Sequence, residues 1–443
     1  MVSRRTALRL AGAGLVGLAG CTDRRGAGTP TATESDAPDE TTPGGGTPGD
    51  GTPDDPNRNT DVELEGATPA WARVLGEDLS TDPAYADGHV AVVVGTTAYG
   101  LDAATGETAW TFESPVSPGG DYGRPTATLA AHDGVLYALV GVSVGTGAHD
   151  HVLHALTPSG EERWTYESGI GGFHELVGFG DGAAVLGTSD DAVGGPDSGG
   201  HATIAVDLAA GRERWRTETA DVLGGTVGDD VAVVRVNGAV DCLALATGER
   251  RFRFAPAVDG RISASAVGGG RVFAGLLRYE GDGPTAYALS AEDGTEDWTV
   301  DGTVVTSLRY LDDLYVGGEH VVRYGPDGTE RWRYDGGGLV ADVPFYDDAL
   351  YTNSGSRVVA VDRQDGRELW GTAATDLAIP RARDGDAVVS SDGQARTVFA
   401  HSAGDGIERW RATLPDEYPP TPAAGGDGAY LATVGGDLVM VPL

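Results

Sequence analysis

The chain has 443 residues and a formal net charge of −36, from 67 acidic side chains against 31 basic ones, all of them arginine. No basic patch or interleaved basic–aromatic stripe is available to neutralise phosphates, which argues against a nucleic-acid partner. Two cysteines, Cys21 and Cys242, exclude a disulfide framework and any cysteine-based metal centre, and 70 glycines punctuate the chain too often for long helices.

In chain order, residues 1–21 read as processing information. Arg4 and Arg5 stand in Ser3-Arg4-Arg5-Thr6-Ala7-Leu8, which resembles a twin-arginine export motif with Ala7 where a bulkier apolar residue is usual. Leu10–Gly20 is an unbroken apolar or small run, too short to span a bilayer. It ends in Leu18-Ala19-Gly20-Cys21, which resembles a lipobox, and that resemblance implies acylation of Cys21 as the first mature residue. The bland alternative is a core cysteine after a chance apolar stretch; arginines, apolar run and cysteine arriving in the right order weigh against it. Residues 22–66 carry eleven acidic and three basic side chains among Thr, Pro, Gly, Ser and Ala. Such a segment buries too little surface to offset chain entropy, so a disordered stalk is expected here.

From residue 67 onward one unit recurs. A glycine is followed four residues later by a tryptophan, once by phenylalanine: Gly106/Trp110, Gly160/Trp164, Gly211/Trp215, Gly248/Phe252, Gly294/Trp298, Gly328/Trp332, Gly366/Trp370 and Gly406/Trp410. Successive glycines lie 54, 51, 37, 46, 34, 38 and 40 residues apart, a period that points to a repeat architecture. Before each pair come short apolar β-rich runs, such as Val90–Val94 and Val231–Val234, entered through Asp-Gly or Asp-Asp turns. The glycine supplies a tight turn, and the aromatic lands in the next strand, where its area fills the gap between wedge-shaped sheets. Phe252 keeps the bulk and loses the indole N–H.

Four short strands per unit, repeated radially, describe an all-β propeller. Leu101-Asp102-Ala103-Ala104-Thr105-Gly106-Glu107-Thr108-Ala109-Trp110 resembles the repeat of the pyrroloquinoline-quinone-like (PQQ-like) propeller family, and Val206–Trp215 and Val361–Trp370 nearly match it. The resemblance implies a propeller over residues 67–443, and eight blades, the commoner number in the family, is the leading expectation. Eight complete units can be counted. The strands after Trp410, together with Pro69–Val74 and its own Trp71, make a split ninth blade if the termini close the ring.

Function is less directly written. The family resemblance raises a quinoprotein dehydrogenase holding PQQ and calcium, whose members share adjacent cysteines and a Glu/Asn/Asp calcium site; no adjacent cysteines occur here. His149 and His151 alternate onto one side of an extended segment and are weak candidates for a transition-metal site, with a solvated hairpin insertion as the plainer reading. No nucleophile–base motif nominates a catalytic residue. The lysine-free acidic composition resembles proteins of salt-loving archaea, in which acidic surfaces stay hydrated in high salt. The expectation is an exported, lipid-anchored propeller on the outer face of the cytoplasmic membrane, without a catalytic site. Its expected role is binding or assembly of protein partners, with a quinoprotein enzyme and a surface ligand or sugar sensor as alternatives.

Overall fold

The computed structural model describes residues 62–76, 79, 81–116, 124–144, 148–170, 172–189, 200–278, 283–302, 304–336, 349–416 and 420–443. Residues 1–61, which include Arg4, Arg5 and Cys21 and most of the expected stalk, lie outside the described residues. All described regular structure is β, arranged as nine antiparallel sheets. In chain order they are blade 1 (84–113), blade 2 (124–167), blade 3 (173–218), blade 4 (222–254), blade 5 (261–301), blade 6 (305–334), blade 7 (349–373), blade 8 (379–413) and blade 9 (423–442). In the blades with four described strands, the chain enters at the innermost strand and works outward. Blade 7 shows three strands among the described residues.

The ring closes through strand addition at both termini. Trp71–Val74 pairs antiparallel with Asp437–Pro442, placing Trp71 opposite Met440, so the two ends of the chain build blade 9 together. The propeller therefore has nine blades, the count that includes the split unit. Glu63–Glu65 adds a fifth strand to blade 8, with Glu65 opposite Arg411 and Glu63 opposite Thr413. The sequence reading extends the disordered stalk to residue 66, whereas Glu63–Glu65 is already a strand of blade 8. Val62, Leu64 and Ala67 pack against the core that holds Ala412 and Leu414, which gives this short stretch the apolar burial that the rest of the stalk composition lacks.

The second and third strands of each blade are buried on both faces. Val90–Val93, Val231–Val234 and Val358–Val361 are all inaccessible to solvent, which explains their continuous rather than alternating apolar pattern. Stacking one blade on the next creates the core as a series of interfaces, and the aromatic of each repeat lies in one of them. Trp71, Trp110, Trp164, Trp215, Trp298, Trp332, Trp370 and Trp410 each send the indole Nε1–H into the following blade. They donate to the carbonyls of Ala103, Pro158, Leu208, Leu245, Pro326, Arg363, Ala403 and Pro442 at 2.7–3.1 Å. Seven of these rings also lie flat on the turn glycine of that blade. A Cβ on Gly106 would stand 2.4 Å from the Trp71 ring, and one on Gly406 would stand 2.4 Å from Trp370. Both glycines have positive φ, at 68° and 73°, so backbone and packing each demand glycine.

The joint between blades 4 and 5 is built differently. Phe252 packs on Gly294 but has no N–H to offer the Ala291 carbonyl. That oxygen is taken instead by Arg251 Nη1 at 3.1 Å and approached by Cys242 Sγ at 3.9 Å. Arg251 is anchored in turn by Asp230. A buried carbonyl stripped of its donor would cost about 1–3 kcal/mol, so the substitute donors preserve what the phenylalanine gives up.

Two expectations follow for urea unfolding. Trp370→Phe, which orphans the Ala403 carbonyl while keeping most of the ring, should cost about 1 kcal/mol. Trp370→Ala, which also opens a cavity at the joint, should cost about 3–5 kcal/mol. Equal losses would mean that the ring does not fill the joint. Arg251→Leu should destabilise by about 1–3 kcal/mol although Arg251 lies at the surface; a neutral result would show that Ala291 has no need of that donor.

Candidate functional site

Polar chemistry inside the ring is scattered over several blade interfaces. His151 and His174 come together across blades 2 and 3, with ring centroids 4.8 Å apart and planes inclined by 29°. The His174 Nε2 lies 2.6 Å from Ser168 Oγ and its Nδ1 lies 3.1 Å from the Gly172 carbonyl, so both ring nitrogens are engaged by protein groups. His149 is in the same strand as His151, opposite Ser143, and its side chain lies outside the described residues. His154 points elsewhere: Nε2 to Ser114 Oγ at 2.9 Å and Nδ1 to Glu162 at 3.0 Å. Among the described residues no group of three or more His, Cys, Asp or Glu side chains converges as a metal site. His151 meets a partner from the next blade, and the His149/His151 pairing suggested by the sequence lies outside the described residues.

Near the axis, Arg235 of blade 4 reaches over Gly224 to donate to the Ser263 carbonyl of blade 5. A Cβ on Gly224 would stand 2.2 Å from Arg235 Nη2 and 3.3 Å from Glu175 Oε1, so the glycine makes room for this contact. Burial raises the Glu175 carboxyl above its ordinary range, and the Arg235 charge draws it partly back. The result is a polar tie across blades 3, 4 and 5.

Blade 4 holds a second unusual arrangement. Asp241 is fully buried and stands opposite Arg253 in the strand register. Neither of its oxygens has a hydrogen-bond partner, and it is held by the guanidinium charges of Arg250 at 3.4 Å and Arg253 at 3.6 Å. Burial pushes its pKa up while the two arginines pull it down. In blade 8, His401 occupies the position opposite Glu408. The matching positions in blades 1 to 7 hold Leu101, Leu156, Val206, Leu243, Leu289, Tyr324 and Val361. His401 is therefore an imidazole in a slot that is aliphatic in six of the other seven blades, fully buried, with no hydrogen bond to either nitrogen, and burial lowers its pKa to about 4. Neither Asp241 nor His401 stands out in the chain as a motif; aligning the repeats would have exposed each as a polar residue in an apolar column.

Among the described residues, one surface recess of about 420 Å³ is lined by Thr375, Asp376, Leu377, Asp392, Gln394 and Ala395. Its Asp392 carboxylate is consumed by the backbone amides of Leu377, Gln394 and Ala395. Burial works to raise its pKa, but these hydrogen bonds together with Thr375 outweigh it and hold the carboxyl below its usual range.

Comparison with known proteins decides the family. A family model described as "Outer membrane protein assembly factor BamB" matches residues 53–171, 198–322 and 317–443. The chain belongs to this family of PQQ-like propellers. Within the curated proteins, the serine/threonine-protein kinase AfsK of Streptomyces coelicolor is 29% identical over 221 residues, which is 47% of this chain and 21% of the kinase. The chain thus spans about a fifth of that relative's length. The computationally designed Ika8 protein shares the fold at a TM-score of 0.52, with 15% identity, covering 84% of this chain and 98% of Ika8. BamB from Moraxella catarrhalis aligns at a TM-score of 0.48 and 16% identity, over 71% of this chain and 96% of BamB. Quinohemoprotein alcohol dehydrogenase from Comamonas testosteroni aligns at 0.47 and 14%, over 86% and 76%.

Among the described residues no donor set for a quinone with its calcium ion is assembled. The quinoprotein resemblance implies adjacent cysteines over the quinone and a convergent carboxylate site. Cys242 stands alone among the described cysteines, inside the blade 4 strand, with burial pushing its thiol up to about 12. The acids described do not converge into a cluster that could bind calcium.

The buried imidazole predicts a pH dependence with a definite sign. A histidine whose pKa is about 4 folded and 6.5 unfolded takes up its proton in the unfolded chain first. Stability is therefore complete above about pH 6.5 and falls as the pH drops toward 4, by up to about 3 kcal/mol from this group. His154, whose pKa is also lowered by burial despite Glu162, acts in the same direction. Urea midpoints at pH 7 and pH 4.5 should show His401→Leu losing less stability than the parent; equal losses would remove His401 from the account.

Proposed function

We propose that the protein is an exported, lipid-anchored scaffold that binds protein partners at the outer face of the cytoplasmic membrane. The observation that carries this reading is the use made of the repeat residues. All eight indole N–H groups are spent on joints between blades, and the Arg216–Glu213 and Arg357–Glu368 pairs are tied to the preceding blade by Tyr166 and Tyr334. These interactions build a rigid ring that presents loops and sheet edges outward, where binding residues ordinarily sit. Membership of a family described as an assembly factor supports the same reading. The outer-membrane part of that description is not carried over, because the lysine-free acidic composition resembles that of salt-loving archaea. The anchor rests on Arg4, Arg5, the apolar run and Cys21. The strand at Glu63–Glu65 brings the polypeptide that follows this anchor onto the rim of blade 8.

The anchor is tested by fractionation. Cys21→Ser should move the protein from the membrane to the soluble fraction, while an equally membrane-bound variant would contradict it. The scaffold role is tested by affinity isolation of the anchored protein from membranes in high salt, where a stoichiometric protein partner is expected. A bound chromophore, or dye-linked oxidation after addition of quinone and calcium, would favour a quinoprotein enzyme instead.

A further inference from the structure

Glu63–Glu65 is a worked example of what a blade edge accepts. On blade 8 this acidic–apolar–acidic segment lies antiparallel to the outer strand, with Glu65 opposite Arg411, Leu64 opposite Ala412 and Glu63 opposite Thr413. Glu65 Oε2 is 4.0 Å from Arg411 Nε, and Leu64 joins the apolar cluster that includes Ala412 and Leu414. Three features of the edge permit this: an arginine one place after the aromatic, an apolar residue two places after, and no acid three places after.

The other edges can be compared position by position. Blades 1, 2, 3, 5 and 6 carry an acid three places after the aromatic, at Glu113, Glu167, Glu218, Asp301 and Asp335. Each would face the first glutamate of an incoming acidic strand, and like charges directly opposite are destabilising. Blade 7 has Gly371 and blade 9 has Ala72 where the arginine is needed. Blade 4 alone repeats the blade 8 arrangement, as Phe252-Arg253-Phe254-Ala255.

Blade 4 goes further than blade 8. Its edge strand, Arg250–Phe254, reads Arg-Arg-Phe-Arg-Phe, three cations on a protein of net charge −36. Arg250 and Arg253 remain 36% and 43% exposed although both face the buried Asp241. Phe254 is partly buried and packed at 4.9 Å against Tyr287, presenting an apolar face where blade 8 has Ala412. Among the described residues no strand pairs with this edge.

We infer that the outer edge of blade 4 is a docking strand for an extended segment of a partner protein, one that alternates acidic and apolar residues. It would be held by backbone pairing and by carboxylates on Arg250 and Arg253. Acids on the five competing edges direct such a segment away from them. This inference names a surface for the scaffold reading and rests on it.

The probe is a peptide with the sequence of residues 60–66, Thr-Asp-Val-Glu-Leu-Glu-Gly, added to the full chain, whose own copy fills blade 8. Amide hydrogen exchange should slow over residues 250–255. A peptide with its three acids replaced by Asn and Gln should bind at least tenfold more weakly. Arg253→Glu should abolish binding but leaves Asp241 beside a second acid, so it risks unfolding the blade. Ala255→Glu avoids this by installing the acid that five other edges carry, and it should weaken binding at least tenfold with unfolding unchanged. Undiminished binding to Ala255→Glu, protection spread equally over other blade edges, or no binding at all would overturn the inference. A partner that is recovered with the membrane-anchored protein and docks elsewhere would leave the scaffold reading standing while removing blade 4 from it.

Discussion

An indole N–H reaching across a gap to a carbonyl of the next sheet is the interaction on which this molecule depends. A four-stranded blade cannot bury both faces alone, and each gains a core only by stacking on its neighbours. The tryptophan supplies bulk to fill the wedge and a donor for a carbonyl that stacking would otherwise leave dry. Glycine under the ring is the other half of the lock, because a methyl group there would collide with the indole. The one joint without an indole shows how firmly the carbonyl must be satisfied. At Ala291 an arginine and a thiol take the place of the missing donor.

Closure follows from the same logic applied to the chain ends. Trp71 sits before any complete blade and Trp410 in the outer strand of the last one, and they lock from the split blade and onto it, respectively. Once the two termini share a sheet, every aromatic has a next blade to reach. The extra strand at Glu63–Glu65 then places the entry of the chain beside the seam, on blade 8. Stability of this kind is distributed over nine similar joints, and the deviations from the repeat mark places of separate interest: His401 in a column of aliphatic residues and one tyrosine, Asp241 between two arginines, and the arginine-rich edge of blade 4.

Much of this architecture was legible in the chain because the repeat writes itself in two residues, glycine and tryptophan, at fixed spacing. Trp71 and the strands after Trp410 carried enough pattern to suggest a split blade. The family's commoner number argued for eight, and only the pairing of Trp71 with Met440 shows that the split unit is a ninth blade. Glu63–Glu65 was hidden because three residues of strand in an acidic segment give no periodicity. His151 was legible as buried-strand material only after its partner became clear, since His174 is twenty-three positions away and in another blade. Asp241 and His401 have meaning relative to their columns in the repeat, and a single strand read alone does not reveal them.

The central claim is that aromatic donors close every joint but one, and the indole protons report on it directly. Eight tryptophans should give eight indole N–H resonances, each exchanging with solvent far more slowly than a free indole and all losing protection together on global unfolding. Indole protons that exchange at the rate of a model peptide in the folded protein would contradict it.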